Sequence, residues 1–250
     1  SDWNNQSIQW TAQEGYTEIV ELLLQDHRVD PSANDNHAIQ RASRDGHTEV
    51  VRLLLQDPRV DPSANGNTSI LVSSHNGHTE VVRMLLQDPR VNSGVNNNYA
   101  IQWASENGHT EVVKLLLRDP KVDPSAKDNY GIRWASLKGH LEIVRILLQD
   151  ERVDPSDRNN YAIRYARHNG HTDVVELLLQ DERVDPSADN NFAIRWASLY
   201  GHTEIVRLLL RDHRVDPSAN NNFAIRHASE RGHTEVARLL LRDPRVSSTY

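Results

Sequence analysis

The chain's 250 residues carry 28 Lys and Arg against 35 Asp and Glu, a net charge of −7, and no cysteine. That charge has the wrong sign for gripping phosphate backbones, so nucleic acid is not an expected partner, and the missing thiols exclude disulfides, thiolate zinc sites and thiol catalysis. No apolar run approaches the roughly 20 residues of a membrane span, and Ser1-Asp2-Trp3-Asn4-Asn5 lacks the regions of a signal peptide, so a soluble protein without membrane contact is expected, cytoplasmic or nuclear.

One stretch, Gly46-His47-Thr48-Glu49-Val50-Val51-Arg52-Leu53-Leu54-Leu55, organises the rest. Its glycine recurs at Gly15, Gly77, Gly108, Gly139, Gly170, Gly201 and Gly232, always 31 residues apart. A fixed step of this size signals stacked supersecondary units. The reading is a single array over 1–250 of eight units, approximately 1–33, 34–64, 65–95, 96–126, 127–157, 158–188, 189–219 and 220–250. Both ends fall inside or beside a unit, which also fits a piece of a longer protein that has lost a targeting segment.

Ten residues before each glycine stands an asparagine: Asn5, Asn36, Asn67, Asn98, Asn129, Asn160, Asn191 and Asn222. It reads as a helix N-cap, a residue that also tolerates the left-handed backbone of a tight turn. A short helix then runs to the glycine, which ends it. A second helix follows at once, with an acid such as Glu111 in its first turn and a basic residue, Gln or Asp-Pro at its end. Ile101 and Ala104 from the first helix, with Val112, Val113, Leu115, Leu116 and Leu117 from the second, supply the shared interior in unit 4. Neither helix is long enough to stand alone. The return segment, as in Arg59-Val60-Asp61-Pro62-Ser63-Ala64-Asn65-Gly66-Asn67, reads as a loop or tight hairpin with Val60 its one buried candidate, while Arg90-Val91-Asn92-Ser93-Gly94-Val95 departs from the pattern.

The run Tyr130-Gly131-Ile132-Arg133-Trp134-Ala135-Ser136-Leu137-Lys138-Gly139-His140-Leu141-Glu142-Ile143-Val144-Arg145-Ile146-Leu147-Leu148 resembles the ankyrin repeat, with its Ala-Ala-x-x-Gly-His-x-x-Val-Val-x-Leu-Leu-Leu core, and the resemblance extends over all eight units. It implies an all-α, ankyrin-like helix-turn-helix solenoid with short hairpins or loops between repeats. The units are two residues shorter than the family's usual 33 and open with an aromatic and alanine rather than Thr-Pro, so the projecting finger is expected to be short and the contact surface to shift toward the first helices. The resemblance further implies a binding scaffold rather than an enzyme, similar in style to arrays of pathogen effectors and giant viruses, some of which act inside a host cell after secretion.

Three columns invite chemical readings. His47, His78, His109, His140, His171, His202 and His233 follow the glycine, but members of successive units stand about 10 Å apart, too far to share an ion. The acids Glu18, Glu49, Glu80, Glu111, Glu142, Asp173, Glu204 and Glu235 sit where a helix N-terminus favours negative charge. Arg133, Arg164, Arg195 and Arg226 replace Gln9, Gln40 and Gln102 six before the glycine, where the family's motif histidine tethers a neighbouring repeat's loop; anion binding is the other reading. No phosphate loop, serine elbow or nucleotide fingerprint appears, so no catalytic residue, metal or cofactor is expected.

The units also differ among themselves, and mostly on one helix face. Five before the glycine come Trp10, Arg41, Val72, Trp103, Trp134, Tyr165, Trp196 and His227; two and one before, the later units carry Leu137 and Lys138, His168, Leu199 and Tyr200, and Glu230 and Arg231. These offsets are related as i, i+3 and i+4 and share a face. Nine before stand Tyr99, Tyr130, Tyr161, Phe192 and Phe223. Diversity confined to one face of a fixed frame fits a surface that binds another protein, here through Trp103, Trp134, Leu137, Lys138, Tyr165, His168, Trp196, Leu199, Tyr200, His227, Glu230 and Arg231. The rings alternatively pack between neighbouring units as a ladder, and the hairpin tips around Lys127, Arg158 and Asp189 are the fallback surface. A monomer is expected; an architectural rod stacking end to end is the rival, which exposed Trp3, Ile8 and Trp10 at one end and Leu239 and Leu240 at the other would support.

Overall fold

The computed structural model describes residues 2–166 and 170–246, residues 2–4 by backbone alone. Among the described residues sixteen helices follow one another: α1 (Asp2–Glu14), α2 (Thr17–Gln25), α3 (Ala33–Asp45), α4 (Thr48–Gln56), α5 (Ala64–Asn76), α6 (Thr79–Gln87), α7 (Val95–Glu106), α8 (Thr110–Leu117), α9 (Ala126–Lys138), α10 (Leu141–Leu148), α11 (Asp157–Ala166), α12 (Thr172–Leu179), α13 (Ala188–Tyr200), α14 (Thr203–Arg211), α15 (Ala219–Glu230) and α16 (Thr234–Leu241). No strand occurs among the described residues, so the shortened return segments are turns. The helices fall into two compact bodies, residues 1–126 and 127–250, each holding four helix pairs. Within the first, odd-numbered helices pack on odd ones (α1 on α3, α3 on α5, α5 on α7) and even on even; α11, α13 and α15 repeat this in the second.

The interior is the one the 31-residue step lays down. Ile39, Ile70, Ile101, Ile132, Ile163, Ile194 and Ile225 are buried with the alanine, or in unit 3 Ser73, one turn on, and so are Val51, Val82, Val113, Val144, Val175 and Val206 of the second helices. In unit 4 the expected set narrows. Val112, Val113 and Leu116 are buried, whereas Leu115 and Leu117 lie half-exposed, because a helix of eight residues has room for only one inward stripe. The return segment buries Val60 and also Pro62.

The asparagine column does not cap. Asn34, Asp35 and Asn36 have φ of 55, 55 and 63°, a full left-handed turn at the start of α3, and every later unit repeats it. Only Gly, Asn and Asp enter this region cheaply, yet Lys127 and Arg158 open the turn in units 5 and 6. The Asn36 side chain looks forward to the far end of its own unit, its Oδ1 accepting the Asp61 amide N–H at 2.7 Å. The same bond runs from Asp30 to Asn5, Asn92 to Asn67, Asp123 to Asn98, Asp154 to Asn129, Asp185 to Asn160 and Asp216 to Asn191.

The Gly-His pair joins one unit to the next. At Gly46 (φ 79°) the His47 amide bonds back to the Ala42 carbonyl at 2.9 Å, closing a Schellman end. A Cβ at Gly46 would stand 2.5 Å from Nδ1 of His78, whose Nε2 meets the Arg44 carbonyl at 2.8 Å. Glycine is therefore fixed by its backbone and by the ring resting on it. The acid column pairs along its own helix, as Glu49 with Arg52 at 2.8 Å and Glu111 with Lys114 at 2.8 Å.

A further clamp lies in the segment Asp57-Pro58-Arg59. Arg59 forks onto Asp57 and sends Nη1 back to the Val29 carbonyl of the preceding unit at 2.8 Å. Arg90, Arg183, Arg214 and Arg245 do likewise, each onto a valine carbonyl thirty residues earlier. Unit 4 is built differently. Lys121 reaches the Val91 carbonyl through Nζ at 2.7 Å, and the carboxylate oxygen left over on Asp119 is taken by the hydroxyl of Ser93 at 2.6 Å. Ser93 stands where most units have proline, and Gly94 beside it has no space for a Cβ, which would lie 2.1 Å from the Lys121 carbonyl.

The exposed apolar residues at the two ends differ from expectation. Ile8 and Leu240 are fully buried and Leu239 is half-buried, since each faces its own helix partner; Trp10 is exposed, and the Trp3 side chain lies outside the described residues.

Candidate protein-binding face

The aromatic columns nine and five before the glycine are one helical turn apart, so their rings meet. In the first body Trp103 stacks on Tyr99 at 4.9 Å and takes His75 edge-on at 5.4 Å. In the second, Trp134 lies 5.4 Å from Tyr130, Tyr165 4.0 Å from Tyr161, Trp196 5.4 Å from Phe192 and His227 4.0 Å from Phe223. Contacts also pass between units, Tyr165 to Phe192 at 6.1 Å and Trp196 to Phe223 at 6.2 Å, so residues 161–227 carry a continuous ladder of half-buried rings.

Arginines interleave with these rings. Arg133, Arg195 and Arg226 donate through Nε to the carbonyls of Asp128, Asn190 and Asn221 in the left-handed turn of their own unit, at 2.6, 2.8 and 2.9 Å. The guanidinium planes lie over the next unit's ring: Arg133 5.1 Å from Tyr161, Arg164 4.4 Å from Phe192, Arg195 5.3 Å from Phe223. Arg164 also pairs with Asp189 of the next unit at 2.6 Å. The column thus holds its own turn through Arg133, Arg195 and Arg226, and through Arg164 it also ties the next unit's turn, as Gln9 does with Asn34 and Gln40 with Asn65 in the earlier units. Burial pulls the Arg195 guanidinium below its usual pKa and pushes the Tyr161 phenol up, as expected for groups half sealed by the stack. The stacking escaped sequence reading, although arginine and aromatic columns coincide from unit 5 onward.

Flanking the ladder, Lys138, Tyr200, Glu230 and Arg231 are exposed and Leu137 is half-buried. Leu199 is only 8% exposed and belongs to the packing, its carbonyl meeting His233 Nε2 at 3.1 Å. His168 lies outside the described residues. His227 pairs with Glu230 at 2.8 Å. One before the glycine, Asn76 and Asn107 spend their side chains on carbonyls of the preceding unit, Arg44 at 2.7 Å and His75 at 3.1 Å. Tyr200 takes that place in unit 7 and turns its ring outward, 43% exposed and 6.0 Å from Trp196.

Among the described residues, no three His, Cys, Asp or Glu stand close enough to hold a metal. What this face offers is a rigid aromatic floor with charges at its edge, which suits recognition.

The ankyrin repeat family, as a profile of three consecutive copies, matches residues 2–65, 57–128, 72–159, 103–190, 132–221 and 163–249. No curated protein matches the sequence. With overlapping matches from residue 2 to residue 249, and with paired helices, Gly-His junctions and inter-unit bonds recurring at the same step, the chain belongs to the ankyrin repeat family.

Proposed function

We propose that this chain binds another protein through the first-helix face of residues 127–250, with Tyr200 near the centre of the contact and Trp134, Tyr165, Trp196, Lys138, His227, Glu230 and Arg231 around it. Ankyrin repeats are in general non-catalytic modules for protein–protein interaction, which sets the class. Tyr200 carries the location: among the described residues it is the one large apolar side chain of units 2 to 7 that is exposed, and it stands where other units use the side chain to tie repeats together. Interface hot spots favour Tyr, Trp and Arg. Because the rings are already stacked, they lose little side-chain freedom when a partner settles on them. Leu199 supports this face from beneath. Trp103 gives the first body a similar ring of its own.

A photo-crosslinking benzophenone side chain at position 200, compared with one at exposed Glu176 on the second-helix face, tests the placement. Position 200 should capture a discrete protein whose yield falls at least tenfold on adding Arg231→Glu. Equal capture from position 176, or none from 200 while the partner remains bound, would remove this face from consideration.

A further inference from the structure

The first helices of the inner units differ in charge. Together α3, α5 and α7 hold two Arg against three Asp and Glu, whereas α9, α11 and α13 hold six Lys and Arg (Lys127, Arg133, Lys138, Arg158, Arg164 and Arg195) against three Asp. A chain of net charge −7 thus collects cations on one face of its second body.

The three carboxylates there are already taken. Asp128 pairs with Arg158, Asp189 with Arg164, and Asp157 accepts the Asn129 side-chain amide at 2.8 Å. Arg133 donates to carbonyls instead, Nε to Asp128 at 2.6 Å and Nη2 to Lys127 at 2.9 Å. Arg195 does the same with Asn190 and Asp189, at 2.8 and 3.0 Å, and Lys138 is exposed at the end of its helix. On the second helices the cations are matched with acids, Arg52, Arg83, Lys114, Arg145 and Arg207 each pairing with the Glu three residues before.

Holding the left-handed turn does not require this charge. Gln40 and Gln102 have the same place in units 2 and 4, and their side-chain amides donate to the carbonyls of Asp35 and Asn97, the counterparts of Asp128 and Asn190. Arginine makes that bond at a higher cost, because neutral acceptors only partly restore the solvation a half-buried guanidinium gives up. The lowered pKa of Arg195 reflects that burial.

Taking the first-helix face as the contact surface, we propose that its partner is acidic: a protein segment whose carboxylates pair with Arg133, Lys138 and Arg195 while its apolar side chains rest on the ring ladder. A guanidinium matches a carboxylate with charge-assisted bonds, and the rings beside it lower the local dielectric and strengthen them. Successive units step about 10 Å and an extended chain rises about 3.3 Å per residue, so a carboxylate at about every third residue follows the column. A nucleic acid strand also stacks on rings, but its dense charge is opposed by the net −7 of the chain, which a short acidic segment largely escapes.

Fluorescence anisotropy at about 0.15 M salt tests this with three labelled probes: a peptide of repeated Glu-Leu-Ser, its Gln-Leu-Ser counterpart, and a single strand of thymidylate of equal length. The Glu peptide should bind about tenfold tighter than the Gln peptide, and Lys138→Glu should weaken it about threefold or more. Arg133→Gln and Arg195→Gln, which keep the turn bond in the form units 2 and 4 use, should each weaken it comparably while native helicity is retained. Arg145→Glu makes the same change of charge sign on a second helix and should alter affinity by about twofold or less, because salt screens it. Equal affinity for the two peptides, lost in Tyr200→Ala, would leave the face standing and overturn its preference for acid. Equal losses from Lys138→Glu and Arg145→Glu, tighter binding of the thymidylate strand, or no binding of either peptide would overturn the proposal as well.

Discussion

Replacing Asn36 separates two accounts of the asparagine column. If the residue were a helix cap, alanine would cost about 1 kcal/mol and glycine only a few tenths. The structure requires more. Asn36 is buried, its Oδ1 is the acceptor for the Asp61 amide at 2.7 Å, and its φ is 63°. Alanine removes the acceptor and strands that part-buried N–H, about 1–2 kcal/mol. It also places an ordinary side chain in the left-handed region, about 1 kcal/mol more. Asn36→Ala should therefore cost about 2–3 kcal/mol, and Asn36→Gly about 1–2 kcal/mol, because glycine relieves the strain but not the lost bond. Urea denaturation followed by circular dichroism gives both values. Hydrogen exchange at the Asp61 amide gives the local one, which is useful because a repeat row need not melt in a single step. Glycine within a few tenths of wild type, with Asp61 exchange unchanged, would refute the bond to Asp61 and restore the cap.

The Gly-His junction predicts a contrast: Gly46→Ala, which meets the His78 ring at 2.5 Å, should destabilise by at least twice as much as Gly232→Ala, which meets nothing within 4 Å, although φ is 79° and 75° at the two sites. Equal losses by thermal melting would mean the ring plays no part. Lys127→Asn should stabilise by about 0.5–1 kcal/mol, since asparagine suits the φ of 54° that lysine endures there; unchanged denaturation midpoints would count against strain at the turn. The Arg forks hold Asp57, Asp88, Asp150, Asp181, Asp212 and Asp243 below the usual carboxylate range. A folded pKa depressed below the unfolded value of about 3.9 adds stability above that value and loses it as pH falls through the folded pKa, so midpoints should be level between about pH 5 and 8 and drop below about pH 4. Arg183→Gln should lessen the acid slope; an identical slope would disconnect the fork from it.

Much of this fold is legible in the sequence because a single step repeats every constraint eight times. Gly46, Val51 and Leu54 could be placed from spacing alone, since helix periodicity and the glycine stop leave one arrangement. Asn36 was misread because caps and left-handed turns select the same residue types for different reasons; only the partner's position, at Asp61 in the return segment, separates them. The Arg59 clamp was hidden in Asp57-Pro58-Arg59, which also serves as a helix-stop signal, so one local function masked a second, longer-range one. On the candidate face, the columns of Trp134 and Tyr200 were visible as variation. Which of them would turn outward was not: Leu199 and Tyr200 are adjacent in sequence, and the packing of the next unit buries one and exposes the other.

The substituted clamp between units 3 and 4 has a mechanical meaning. When a row of repeats is drawn out along its length, each junction is loaded in series, and the one that deforms most under a given force yields first. Arginine braces its junctions with a planar fork fixed at both tines, whereas Lys121 does so with one ammonium on a flexible stem and leaves Asp119 to the Ser93 hydroxyl. Under tension, residues 2–126 should part between these two units before any other, giving the first body a built-in breaking point whose halves each keep whole helix pairs.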